Sequence, residues 1–155
     1  MTRYLLTASL LLAGAVWIPA GCSFPSCTEI GCYSYFRANF TKSSGWADGR
    51  WEISLRTGGT TVGSCEIDLP APSASGRGDC SGDLLLRLRP DGQAIESATS
   101  QRDFSDNTPS EFTVRLERDG QQVAQQTFSP EFDRLQPNGP GCSPVCHQAE
   151  VEFAF

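Results

Sequence analysis

Four groupings of side chains in this 155-residue chain have types and spacing suited to chemistry. His147 is the only histidine and adjoins Cys146; nucleophilic catalysis pairs a histidine base with a Ser or Cys and orients it with a carboxylate. Glu150 and Glu152 are separated by one residue. On a strand that spacing puts both carboxylates on one face some ~7 Å apart, a separation a glycosidase acid pair can use. Asp103, Asp106 and Asn107 gather three oxygen donors of the kind calcium takes. Arg77-Gly78-Asp79 spells the tripeptide that integrins read.

Each grouping also has a plainer reading. Cys146 is expected to be oxidised, which removes it as a nucleophile. Strict alternation already places Glu150 and Glu152 on the solvent face of a last strand. No glycine-centred calcium loop surrounds Asp103, Asp106 and Asn107, and acids are common in turns. A tripeptide recurs by chance, and Cys80 would constrain this one. No catalytic residue, no metal ligand and no cofactor is therefore expected.

The residue that says most is Cys22. Arg3 supplies a positive start, Tyr4 to Ile18 is almost wholly apolar, and Ala20-Gly21 are small enough for a peptidase to seat. The apolar run, roughly 15 residues, is shorter than the ~20 that span a bilayer, and no second run follows. Ala20-Gly21-Cys22 resembles the lipobox of bacterial lipoprotein signals, with Pro19 where Leu is usual and Ile18 one place further upstream. The resemblance implies a diacylglycerol thioether on Cys22 and cleavage just before it. Two acyl chains anchor a protein stably. Ser23 in place of Asp implies, by the same likeness, an outer-membrane destination. The alternative is ordinary secretory cleavage near Ala13-Gly14-Ala15, which leaves Cys22 an odd thiol.

Removing residues 1–21 as a signal peptide from the 155-residue chain leaves 134, enough for one domain. Residues 22–32 read as a short tether and 33–155 as the domain. Only Arg3 of the charged residues lies in the leader, so 11 of the 12 basic and all 18 acidic residues remain, a formal −7. That balance argues against nucleic acid and anionic lipid as partners.

The elements that must position these groups read as strands throughout, and no stretch sustains a helical apolar period. Phe36, Ala38 and Phe40 alternate with polar neighbours, as do Trp51, Ile53 and Leu55, and Cys65, Ile67 and Leu69. The same holds for Leu84, Leu86 and Leu88, for Phe112, Val114 and Leu116, and for Ala149, Val151, Phe153 and Phe155. Weaker strands cover Ile95 to Thr99 and Gln122 to Phe128. Pro90-Asp91-Gly92 and Asp119-Gly120 read as hairpin turns. The expectation is an all-β, immunoglobulin-like sandwich of about eight short strands, with a small barrel as the alternative.

Setting Cys22 aside leaves Cys27, Cys32, Cys65, Cys80, Cys142 and Cys146, an even set. Zinc is the competing use, with His147 as an extra ligand, but Cys-x4-Cys and Cys-x3-Cys lack the usual knuckle spacing and export favours disulfides. Cys65 and Cys80 flank a Pro/Ser/Gly loop, and closing about 15 residues contributes ~3 kcal/mol in the chain-entropy model. In immunoglobulin-like sandwiches the first and last strands often run side by side in parallel. That would pair Cys32 with Cys146 and Cys27 with Cys142, although pairing within each cluster stays open. A stapled Cys27 leaves about five residues to the lipid, a reach under ~18 Å, and holds the domain near the membrane.

With Phe36, Ala38 and Phe40 turned to the core, Tyr33 and Tyr35 point the other way, with Trp46 in the following loop. Stacked aromatics on a sheet face can bind glycans, so these three are the candidate ligand-binding residues; partial burial is the alternative. Finally, the run from Pro137-Asn138-Gly139-Pro140-Gly141-Cys142 through Cys146 to Ala149 is similar to small uncharacterised lipoproteins of myxobacteria and their relatives. There it leads into the last strand. The similarity extends weakly over most of the mature domain, including Trp51 and the Asp119-Gly120 hairpin, with this one segment its specific part, and it implies an envelope location and a β fold without assigning a chemistry. The expected role is a non-catalytic binding or structural module on the envelope, meeting another envelope protein or a glycan. The alternatives are a glycan- or peptidoglycan-binding module and, less favoured, a carbohydrate-active enzyme.

Overall fold

The computed structural model describes residues 27–71, 78–102 and 108–155. The described residues form ten strands: β1 (Tyr35–Thr41), β2 (Gly49–Thr57), β3 (Thr60–Leu69), β4 (Asp79–Gly82), β5 (Leu84–Leu88), β6 (Ile95–Gln101), β7 (Phe112–Arg118), β8 (Gln121–Phe128), β9 (Asp133–Leu135) and β10 (Cys146–Ala154). There is no helix among the described residues. The strands form two five-stranded sheets, ordered β5-β6-β1-β10-β9 and β4-β3-β2-β7-β8. No barrel closes.

The expected eight strands all occur, but the total is ten because β4 and β9 join them. Both are short and every residue in them is exposed. A strand with no buried face carries no alternation, so its sequence holds no periodic signal.

Apolar positions from both sheets meet in one core. Phe36 of β1 stacks on Phe112 of β7 with ring centroids 4.2 Å apart, tying the middle of one sheet to the other. Trp51, Ile53, Leu84, Ile95, Leu116 and Phe153 are also fully buried. Turn chemistry sets the register of the hairpins. Asp119 and Gly120 both take positive φ, 52° and 77°, as a two-residue turn between β7 and β8 requires. The β5–β6 connection closes with the Gly92 amide donating to the Arg89 carbonyl at 2.9 Å. A third hairpin joins β2 to β3 through Gly58 and Gly59, both with positive φ.

β1 and β10 pair in parallel, with Arg37 opposite Glu150 and Asn39 opposite Glu152. Both strands therefore start at the same end of the molecule. Residues 27–34 and 136–145 lead into them and define that end; the loops 42–48 and 89–94 lie at the other.

Candidate functional site

The end where β1 and β10 begin is held by two disulfides, Cys27–Cys142 and Cys32–Cys146. The parallel register explains the pairing, because it sets the two cysteine clusters alongside each other just before their strands. The third disulfide, Cys65–Cys80, joins directly opposed residues of β3 and β4. Between the first two bridges the chain is held by polar contacts. Asn138, 8% exposed, accepts at Oδ1 from the Thr28 hydroxyl and the Ile30 amide, and donates from Nδ2 to the carbonyls of Ile30 and Ser143. Gln148 donates to the Tyr33 carbonyl, and the His147 amide donates to Ser34 Oγ. Of the segment expected to be a tether, residues 27–32 are thus fastened to the sheet. Cys22, Ser23 and the leader lie outside the described residues.

The groupings with chemical potential are placed as follows. Cys146 Sγ is bonded to Cys32, so it offers no thiolate to His147; His147 Nδ1 is buried without a hydrogen-bond partner. Glu150 and Glu152 do share one face of β10, and β1 occupies both. Glu150 accepts from the Tyr35 hydroxyl at 2.9 Å, from Arg37 at 2.9 Å and from Asn39 at 3.4 Å. Glu152 accepts from Asn39 and from the Thr41 hydroxyl. The hydrogen bond from Tyr35 is the main cause holding the Glu150 carboxyl below its ordinary value, with Asn39 and the Arg37 charge adding to it against a burial effect of opposite sign. The Glu150 carboxyl, held low, stays ionised at neutral pH, and the contacts of both glutamates with β1 form a cross-strand ladder. Among the described residues no three His, Cys, Asp or Glu side chains converge as a metal site. Asp103, Asp106 and Asn107 lie outside the described residues, as does Arg77; Gly78 and Asp79 lead into and open β4.

The three aromatic candidates do not form one platform. Tyr33 is 75% exposed and lines a hollow of about 350 Å³ at the stapled end with Gln101, Arg102, Pro144 and Val145. Tyr35 stands on the outer face of β1 beneath the Arg37 guanidinium, 4.8 Å from its ring centroid, and its own hydroxyl is spent on Glu150. Burial is the first cause raising the Tyr35 hydroxyl above its ordinary value, followed by that hydrogen bond. Trp46 turns inward instead, edge-on to Trp51 at 4.6 Å and to Phe155 at 5.1 Å. The pleat separates them: residues that pack with Phe40 lie on the opposite face of β1 from Tyr35.

What the sequence did not reveal is a cleft of about 540 Å³ at the far end, lined by Phe40, Lys42, Trp46, Arg89, Gln93 and Glu96 among others. Its walls are the loops 42–48 and 89–94, brought together only by the β1–β6 pairing. Two signals pointed there: Trp46, one of the three candidate ligand-binding residues, and the Pro90-Asp91-Gly92 turn. Neither a protein-family model nor a curated protein nor a solved structure matches the chain.

Proposed function

We propose that this is an exported, lipid-anchored protein of the bacterial cell envelope, carried by Cys22 and ending in a non-catalytic binding or structural domain. The observation that carries the reading is the double staple. Cys27–Cys142 and Cys32–Cys146 place the first fixed point of the domain five residues after Cys22, and disulfides of this kind persist outside the reducing cytosol. The side-by-side parallel β1 and β10 favour an immunoglobulin-like sandwich within the observed two-sheet architecture. The occupied ladder on Glu150 and Glu152 supports a binding role over acid–base catalysis. An outer-membrane location follows from Ser23.

Intact mass of the protein extracted from its native membrane tests this. Residues 22–155 plus acyl chains, less the six hydrogens lost in forming three disulfides, is the expected mass, and Cys22→Ala abolishes the acyl increment. An unacylated wild-type chain overturns the anchor. A second reading, a glycan-binding module, is favoured by the distal cleft with Trp46 in its wall.

A further inference from the structure

The described residues expose five large hydrophobic side chains: Ile30, Tyr33, Leu85, Val123 and Leu135. Three of the five lie at the stapled end, which makes their placement more than the scatter normal for a soluble surface. Ile30 is 54% exposed and is gripped by Asn138 at both its amide and its carbonyl. Tyr33, 75% exposed, shares a hollow with half-buried Pro144 and Val145. Leu135, 41% exposed, is the pairing partner of Cys146. All three lie in or beside segments that the disulfides and Asn138 fasten: Ile30 between Cys27 and Cys32, Tyr33 next to Cys32, and Leu135 opposite Cys146.

We propose that this patch is a membrane-seating surface, on which the domain rests against phospholipid with the distal cleft facing away. The proposal rests on lipidation of Cys22. The occupant follows from the length of chain beyond the staple: five residues reach under ~18 Å even when fully extended. Ser23-Phe24-Pro25-Ser26 between the two points carries no charge, so nothing in the connection disfavours the interface. The patch matches that interface in type, since tyrosine with flanking aliphatic residues settles at the level of lipid headgroups. Arg102 and Arg134 are outnumbered by Glu29, Glu131 and Asp133 nearby in the chain or on the same elements. With no basic excess, seating relies on apolar contact and does not require anionic lipid.

The test uses the lipidated, disulfide-bonded protein reconstituted into phosphatidylethanolamine/phosphatidylglycerol vesicles with or without brominated acyl chains, which quench only nearby indoles. Tyr33→Trp is a conservative change at an exposed site, and Val145→Trp checks a second position. Val123→Trp, beside the β7–β8 hairpin at the opposite end, is the control. The added emission is expected to shift to the blue and to be lost in brominated vesicles for the first two variants, and to persist for the control. Raised salt leaves the quenching unchanged. If the protein carries its acyl mass and floats with the vesicles, yet bromination leaves the added emission of Tyr33→Trp and Val145→Trp intact, the seating is overturned and the anchor stands. A chain that lacks acyl mass and does not float overturns both.

Discussion

The side-chain amide of Asn138 grips Ile30 at both of its backbone polar groups, accepting from its amide at 2.9 Å and donating to its carbonyl at 3.1 Å. A strand neighbour would make the same two bonds. Here a single side chain from the 136–145 loop substitutes for one, across 108 residues of sequence. It fixes a segment that has no strand of its own.

Removal of this amide leaves the Ile30 amide and the Ser143 carbonyl without their partner in a part-buried place. Asn138→Ala is expected to lower stability by about 1–3 kcal/mol, the usual cost of stranding buried polar groups. Asn138→Asp keeps the acceptor but turns an oxygen toward the carbonyls of Ile30 and Ser143, and costs at least as much. Denaturant unfolding measures the loss. Hydrogen exchange at the Ile30 amide should speed up in Asn138→Ala, which removes its acceptor, since the disulfides at Cys27 and Cys32 hold only the ends of its segment.

Alternation placed seven of the strands because each buries one face; β8, where only Ala124 and Phe128 are half-buried, gave one of the two weaker signals, and Asp119-Gly120 located a hairpin because its backbone needs positive φ. Cys27–Cys142 and Cys32–Cys146 followed from a topological expectation, parallel first and last strands, whereas Cys65–Cys80 followed from the loop it flanks. Trp46 shows where the reading stops. Its position in a loop says nothing of direction, and only the packing of Phe40, Trp51 and Phe155 around it turns the ring inward. The Gly58-Gly59 hairpin was missed because β3 begins at Thr60, where Thr60-Thr61-Val62-Gly63 offers little apolar alternation before Cys65. The role of Asn138 had no signal, since an asparagine between two prolines and a glycine reads as a turn.

The Tyr35–Glu150 contact makes stability depend on acid. Folding lowers the Glu150 pKa from the ordinary 4.5, so the folded state binds its proton less readily than the unfolded chain does. Its contribution is present above the unfolded value and is lost as pH falls through the lowered folded one. Glu150→Gln should therefore flatten the acid limb of the stability–pH curve relative to the wild type. In Tyr35→Phe the main cause of the shift is gone, and the Glu150 pKa, followed by NMR, should move back up toward its ordinary value.

The two staples at one end are expected to be strongly non-additive. With Cys32–Cys146 intact, losing Cys27–Cys142 opens only the short loop between them, and the converse is also true; either loss alone leaves the ends of the domain together. Removing both frees that short loop and also a loop of 115 residues, the long one alone worth about 5 kcal/mol in the chain-entropy model. Cys27→Ala/Cys142→Ala and Cys32→Ala/Cys146→Ala should each cost clearly less than half of the combined variant. Cys65→Ala/Cys80→Ala opens an independent loop and should cost about 3 kcal/mol by itself. Thermal unfolding of the four variants checks the pattern; equal, additive losses would contradict it.

Trp46 and Trp51 give the glycan reading its own spectroscopic test, because one lines the distal cleft and the other is fully buried. An oligosaccharide entering the cleft would meet the Trp46 ring, while Trp51 stays sheltered with its indole N–H committed to the Ala47 carbonyl at 2.9 Å. Under that reading, peptidoglycan fragments or envelope polysaccharide change Trp emission saturably, and Trp46→Phe, which keeps an aromatic ring against Phe155, removes the response. Lys42→Ala weakens it, since Lys42 also lines the cleft and its ammonium lies 4.8 Å from the Phe155 ring centroid. Tyr33→Ala leaves it untouched, because Tyr33 is at the stapled end. A response abolished by Tyr33→Ala and indifferent to Trp46→Phe would move the glycan site to the hollow beside Val145 and compete directly with membrane seating there.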